Sequence, residues 1–324
     1  MNDLFTADDR ARVNAEMAAG SGTRYTELLQ EHPDPSGKVT WLTRIASVVV
    51  GLLVGLILVG VLGLVGLAAL VVLVVVALLV SSRVARWWHR RSLDARADRE
   101  VVGGYAERRG WTMVEQIPLI NTTPLLRSGD RRETGWGVTG QLDAATRFAV
   151  GQFEYEQDRE VTSTDSEGNM TTRTETDHFP FAIALIEAPL PDLTKVEIAK
   201  GSTGGILSRI AGAVSDLRPV PLESAEFNDA FRLMVADEAD ELAIRTRFTP
   251  AVQVALIERG SDDTKIEAEN GVLLVARPGK REPDDFGAFL DVLGDAIWYR
   301  EVLAGDPPGR VPDVAALRVL LLGE

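Results

Sequence analysis

The sequence contains no cysteine, and this absence narrows the chemistry that the chain can perform. Its 324 residues include only three histidines, and only five of its 34 basic side chains are lysine. Disulfide bonds, thiolate catalysis and cysteine-based zinc sites are therefore excluded. The bias toward arginine, with abundant alanine, valine and glycine, is typical of a GC-rich bacterial genome.

Recurrent catalytic motifs are also scarce. The sequence has no G-x-S-x-G nucleophile elbow and no H-E-x-x-H zinc motif. We therefore expect that the protein is not an enzyme, and we assign no catalytic, cofactor-binding or metal-binding residues and no cofactor.

The charge of the chain is strongly acidic and unevenly distributed. The net charge is −14 overall, with −2 in residues 1–44, +4 in residues 83–109 and −16 in residues 110–324. A domain this acidic is a poor partner for nucleic acid, because phosphate binding needs a basic face. The acidity also contributes to solubility.

One apolar run dominates the first third of the chain. Ala46 to Val80 is 35 residues long and contains no charged side chain. Runs of at least ~18 apolar residues are typical of membrane-spanning helices. We therefore predict a transmembrane segment over residues 41–82, and a bacterial inner-membrane protein whose partners include the lipid bilayer.

The length of the run favours two spans over one. A single helix of 35 residues would be about 52 Å long, whereas the hydrocarbon core is ~30 Å thick. Gly60, Gly63 and Gly66 lie near the middle, where a reversal would fit, and basic residues with tryptophans flank both ends. A hairpin would place the remainder of the chain in the cytoplasm. One long, tilted helix with the glycines as packing positions is the alternative.

The remaining chain divides by composition. Residues 1–40 form a polar, flexible tail that could contain two short helices, and residues 83–109 form a basic juxtamembrane helix broken at Gly103-Gly104. Residues 110–304 form the acidic domain, and residues 305–324 form a proline-rich tail that could end in a short docking helix. The predicted fold class is membrane-anchored α+β: an N-terminal transmembrane helical hairpin, then an α+β domain with antiparallel β-hairpins and packed helices.

Local patterns within residues 110–304 support the α+β assignment. Alternation from Phe148 to Tyr155, a polar threonine-rich stretch and the apolar run Phe179 to Ile186 together predict a long hairpin with a solvated tip. Asn270-Gly271 between β-prone runs predicts a second, tight hairpin. An amphipathic helix is predicted from Pro283 to Leu303.

Three features resemble functional sites, and each has a simpler structural interpretation. The glycine-rich loop Lys200 to Gly205 lacks the lysine of a phosphate-binding loop. Asp165, Glu167 and Asn169 resemble a calcium loop, but Gly168 comes too early for that pattern. His178 is the only histidine in residues 110–304, and its neighbour Asp177 would point to the opposite face of a strand.

Several short motifs resemble those of a bacterial family of uncharacterised membrane proteins, catalogued only as a domain of unknown function. The matching motifs are Phe153-Glu154-Tyr155, Thr176-Asp177-His178-Phe179, Leu190-Pro191, Glu223 to Phe231, Asp237 and Thr249-Pro250. The resemblance covers Tyr105 to Ala304. Phe248 is a minor departure from the residue that is usual in the family. The resemblance implies a membrane hairpin and a cytoplasmic α+β domain, and it implies no activity.

The functional expectation is a membrane protein whose acidic cytoplasmic domain binds another protein or a membrane component. The alternative is a membrane-tethered enzyme with an unrecognised site around His178 and the acidic hairpin. A third possibility is a structural protein that acts through helix packing.

Overall fold

A computed structural model describes residues 6–33, 64–118, 123–164, 170–188, 195–200, 217–259, 264–281, 285–305 and 312–322, with isolated positions between these ranges. The chain forms two units. The first comprises Met1–Ala15 and Gly103–Glu324, and the second comprises Glu16–Val102.

A single antiparallel sheet organises the first unit. In the described ranges its nine strands have the order β1-β2-β3-β4-β9-β8-β5-β7-β6. The strands are β1 Thr112–Val114, β2 Arg131–Asp143, β3 Thr146–Thr164, β4 Met170–Glu187, β5 Lys195–Lys200, β6 Leu217–Pro219, β7 Phe231–Ala236, β8 Lys265–Glu269 and β9 Val272–Pro278. The α+β class with antiparallel hairpins and packed helices, predicted from the sequence, is therefore confirmed.

Local sequence determines both predicted hairpins. Asn270 and Gly271 have φ angles of 54° and 75°, which is the backbone that a two-residue type I′ turn requires. The turn pairs Glu269 with Val272 and joins β8 to β9. The longer hairpin joins β3 to β4 through 17 residue pairs, from Phe148–Ile186 to Thr164–Met170.

Helices cover both faces of the sheet. Those of the first unit are α3 Pro124–Arg127, α4 Ala225–Ala230, α5 Glu241–Arg247, α6 Pro250–Arg259, α7 Phe286–Ala304 and α8 Val314–Leu322. The Ser224 hydroxyl accepts from the Phe227 N–H to cap α4, and Asp240 accepts from the Leu242 N–H to cap α5. These N-caps satisfy backbone donors that would otherwise be unpaired at the helix starts.

Helix α7 is the central helix and differs from its predicted amphipathic pattern. Fifteen of its 19 residues are buried, because it packs on strands β3, β4 and β9 on one side and on α6 and α8 elsewhere. Asn14 accepts a 2.8 Å hydrogen bond from the Gly287 N–H, and Arg10 pairs with Asp285 at 2.7 Å. A helix that is apolar on nearly every side is typical of such a central position.

The face of the sheet opposite α7 has its own core. Phe153, Tyr155 and Phe181 are central to it, and Leu125 and Leu126 of α3 pack against them. The Tyr155 ring stacks on Phe179 and Phe181, with centroids 4.8 and 5.9 Å away.

Two long helices precede the sheet in the chain. Helix α1 covers Ala7–Glu31, where the sequence suggested two short helices in a tail, and α2 covers Leu64–Glu107 without a break at Gly103-Gly104. Gly20 lies inside α1 and allows close packing on Val101, because a Cβ there would be 3.0 Å from the valine side chain. In the second unit, Leu28 and Leu93 are buried together, and Arg24 pairs with Glu100 at 2.5 Å.

The predicted transmembrane hairpin is wrong. Among the described residues, no helix combines the length and the apolar character that crossing a bilayer demands. The described portion of the apolar run, Leu64 to Val80, forms the start of α2. The reversal was predicted near Gly60, Gly63 and Gly66. Gly66 lies within α2, and Gly60 and Gly63 lie outside the described residues. The expectations of membrane anchoring and inner-membrane localisation are corrected accordingly.

Candidate functional site

The outer part of the β3–β4 hairpin extends beyond the sheet. Strand β2 pairs with β3 only as far as Glu156, and β9 pairs with β4 only from Phe181 onward. Residues 157–164 and 170–177 then pair with each other alone among the described strands. We call these two segments the ribbon. Eight residue pairs at ~3.3 Å each give it a length of roughly 25 Å.

The ribbon is polar and exposed on both faces. Every one of its 16 side chains is exposed or half-buried, and Met170 is 74% exposed. The hydroxyls of Thr162 and Thr172 lie 3.2 Å apart across the strands. The tip, residues 165–169, lies outside the described residues, and so does the calcium-like pattern considered there.

Ion pairs cover one face of the ribbon. Arg159 lies 2.8 Å from Glu175, its direct cross-strand partner, and 3.2 Å from Asp177, its diagonal neighbour. Asp177 therefore faces away from His178, as strand alternation predicts. These charges suit an exposed strand edge, because they discourage association of the ribbon with another copy of itself.

The base of the ribbon holds a carboxylate–imidazole cluster. His178 lies directly opposite Glu156 in the strand register. Its Nδ1 is 3.0 Å from Glu154 Oε1 and 3.4 Å from Glu156 Oε1. The three groups are Glu154, Glu156 and His178, and one donor atom of each lies within 4.8 Å of the others. We call this set the base cluster.

Neighbouring polar groups hold the base cluster in place. Arg131 of β2 donates through Nε to Glu156 Oε2 and through Nη2 to Asp158, the latter at 3.1 Å. The Thr176 hydroxyl donates to the same Asp158 carboxylate at 2.7 Å. Since Arg131 engages Oε2, the other oxygen of Glu156 is left facing His178.

His178 is identifiable from the sequence, but its partners are not. Asp177 is adjacent to it, whereas the residues that contact His178 lie more than 20 positions away on β3. Strand alternation already places Glu154, Glu156 and Asp158 on one face. The missing information was the register of the hairpin, which pairs Glu156 with His178.

A second ionic group is buried on the α3 side of the sheet. Lys265 Nζ lies 2.8 Å from Glu267 Oε1 and 3.2 Å from Glu197 Oε2, with all three side chains at most 2% exposed. Glu267 also accepts the Leu125 N–H at 2.9 Å. Burial raises the pKa of Glu197, although Lys265 opposes that rise. Without solvent access, the group holds α3 against the sheet.

A third ionic group lies beneath α7. Arg277 of β9 pairs with Asp291 and Asp295, and Arg259 of α6 reaches Asp295 at 3.0 Å. Burial raises the pKa of Asp291, and Arg277 counteracts it. These contacts join α6 and α7 to the sheet, so their role is structural.

One glycine pattern escaped the sequence analysis. Gly135-Trp136-Gly137-Val138-Thr139-Gly140 has the spacing G-x-G-x-x-G, which in nucleotide-binding proteins forms a turn between a strand and a helix. Here the whole pattern lies within β2. A Cβ at Gly140 would lie 2.5 Å from the Trp111 ring, so this glycine allows close packing. The pattern therefore does not mark a dinucleotide site.

The remaining sequence candidates do not join the base cluster. The loop from Gly201 onward lies outside the described residues. His89 Nε2 of α2 lies 2.7 Å from the carbonyl oxygen of His32, the residue that follows α1, in the second unit.

The chain was compared with known proteins. It matches no family model, no curated protein and no solved structure. The resemblance to a family of membrane proteins is therefore wrong, both in its short motifs and in the membrane hairpin that it implied.

Proposed function

We propose that the acidic sheet domain is a binding module and that the ribbon is its contact with another protein. The observation that carries this proposal is the extension of β3 and β4 by eight pairs past every other described strand. The ribbon buries no side chain fully, so its length contributes little to the core. Two-stranded ribbons are only marginally stable in water by themselves.

The chemistry of the ribbon favours an extended, basic segment as the partner. Each outer strand edge offers backbone N–H and C=O groups, which an added strand could pair with. The described ribbon residues carry four carboxylates and two arginines, and residues 110–324 carry a net charge of −16. A basic segment would be attracted to this surface, and a nucleic acid would be repelled.

The test is photo-crosslinking from defined positions of the full chain in cells that produce it. A photoreactive residue replaces Thr162 or Thr172 in the ribbon, and the control replaces Val254, which is 52% exposed on α6. We expect one protein to crosslink from both ribbon positions and not from Val254. Equal products from all three positions, or none from the ribbon, would overturn the proposal.

A second candidate function is an enzyme that uses His178 as a general base. Its supporting observation is the 3.0 Å contact between His178 Nδ1 and Glu154, because a carboxylate can orient an imidazole for proton transfer. His178→Ala would then abolish complementation of a deletion strain while the fold is retained. Full complementation by this variant would exclude the enzyme.

A further inference from the structure

We propose that Glu154, Glu156 and His178 bind one divalent transition-metal ion of the zinc class. The inference is independent of the ribbon's protein partner, because it rests on side chains of the base cluster alone. One imidazole nitrogen and two carboxylate oxygens form a donor set that zinc accepts in proteins without cysteine.

The spacing of the donors fits a common ion. Metal–ligand distances near 2.0–2.1 Å in a tetrahedral site separate neighbouring ligand atoms by about 3.3 Å. His178 Nδ1 lies 3.0 Å from Glu154 Oε1 and 3.4 Å from Glu156 Oε1. All three donor atoms lie within 4.8 Å of one another, so side-chain rotations would bring them around one ion.

The backbone preorganises the donors. All three come from two strands whose register pairs Glu156 directly with His178, and Glu154 lies two residues before Glu156 on the same face. His178 is 56% exposed, whereas the two carboxylates are about one-third exposed. The site would therefore be open to solvent, and water would complete the coordination.

Arg131 supports the site from outside. It donates to Oε2 of Glu156, so that Oε1 remains directed at His178. Outer partners of this kind orient metal ligands and tune their affinity. Glu133 of β2 pairs with Glu154 in the register, and Asp158 lies beyond Glu156. These two additional carboxylates favour a cation over an anion at the cluster.

The test measures metal binding to the full chain, purified without a histidine tag and freed of metal with a chelator. Titration calorimetry with Zn²⁺ and visible absorption with Co²⁺ are applied to the unmodified chain and to His178→Ala and Glu154→Gln. The control is Glu175→Gln, which removes a ribbon carboxylate on the other face, beside Arg159. Circular dichroism verifies that each variant folds.

We expect one ion per chain and absorption bands typical of Co²⁺ with nitrogen and oxygen ligands. His178→Ala and Glu154→Gln should each weaken binding more than about tenfold, and Glu175→Gln should leave it unchanged. The inference is overturned if the unmodified chain binds no ion. It is also overturned if all three variants bind as the unmodified chain does, or if all three are weakened equally, since that would indicate general charge attraction.

A variant in which Asn-Gly replaces residues 159–175 distinguishes metal binding from the proposed binding of a protein partner. The shortened chain keeps all three ligands and should bind metal normally while losing the protein partner. Loss of metal binding in this variant would contradict the independence of the site from the ribbon.

Discussion

Asp9 and Arg318 form a two-pronged salt bridge between the first turn of α1 and helix α8. Arg318 Nη1 lies 2.6 Å from Asp9 Oδ2, and Nη2 lies 2.7 Å from Oδ1. The Thr6 backbone N–H and hydroxyl also donate to Asp9, while the Asp9 N–H donates to the Thr6 hydroxyl. This reciprocal arrangement caps α1. Residues near the two chain termini are thus joined within the first unit.

Asp9→Asn should destabilise the first unit. Burial alone would raise the Asp9 pKa, but hydrogen bonds from Arg318 and Thr6 outweigh it and hold the pKa at about 2, below the ordinary value of 3.8. A depressed pKa contributes stability that is complete above about pH 4 and is lost as the pH falls to about 2. We expect a loss of about 2 kcal/mol at pH 7, measured by urea unfolding.

The matched control for Asp9 is its exposed neighbour. Asp8→Asn removes the same charge from the same turn without removing the salt bridge, and its free energy of unfolding should change little. The difference between the two variants should shrink between pH 4 and pH 2. A difference that stays constant across that interval would contradict the depressed pKa.

Lys265→Met should be among the most damaging substitutions in the sheet. It would leave Glu197 and Glu267 buried without a counter-charge, which costs about 3–5 kcal/mol. Adding Glu197→Gln should restore part of the loss, because one buried charge is removed. Equilibrium unfolding is the measurement, with exposed Lys280→Met as the control. Equal free energies of unfolding for Lys265→Met and Lys280→Met would refute the role of Lys265 as the counter-charge of the two buried carboxylates.

Gly129→Ala should cost more than Gly110→Ala. Both glycines have positive φ angles, 77° and 71°, so an alanine is strained at either position by about 1–2 kcal/mol. At Gly129 the new Cβ would also lie 2.5 Å from the Tyr155 ring and 2.6 Å from the Glu156 carbonyl oxygen. At Gly110 nothing lies within 4 Å. Thermal unfolding should separate the variants, and identical midpoints would argue against this packing.

Arg159→Ala should leave stability almost unchanged. Its pairs with Glu175 and Asp177 are exposed, with 57% of the Arg159 side chain accessible, and exposed ion pairs contribute at most about 1 kcal/mol. A change below about 0.5 kcal/mol in urea unfolding is expected. A large destabilisation would contradict the exposed position of these ion pairs on the ribbon.

Sequence reasoning predicted the elements that local patterns determine. The type I′ turn at Asn270-Gly271, the long β3–β4 hairpin and helix α7 follow from neighbouring residues, and all three are present. The limits of α1 were missed, because Gly20 lies within the helix, close to Val101 of α2, and no local pattern indicates that contact.

Features that depend on distant pairing could not be predicted. Strand β5 lies between β7 and β8, and no local signal specifies those neighbours. The base cluster required the register that pairs Glu156 with His178, and the buried position of Lys265 required the packing of α3. The membrane hairpin was predicted from the length of the apolar run, its lack of charge, its central glycines and its basic flanks, and that prediction is wrong.

The most direct test of the ribbon as a protein contact is the dissociation constant of the crosslinked partner for two versions of the full chain. One is unmodified, and the other has residues 159–175 replaced with Asn-Gly, which retains the base cluster and the sheet. We expect the shortened chain to bind the purified partner at least about tenfold more weakly, a loss of about 1.4 kcal/mol, with unfolding of the sheet domain unchanged. Equal dissociation constants for the two chains would contradict the account.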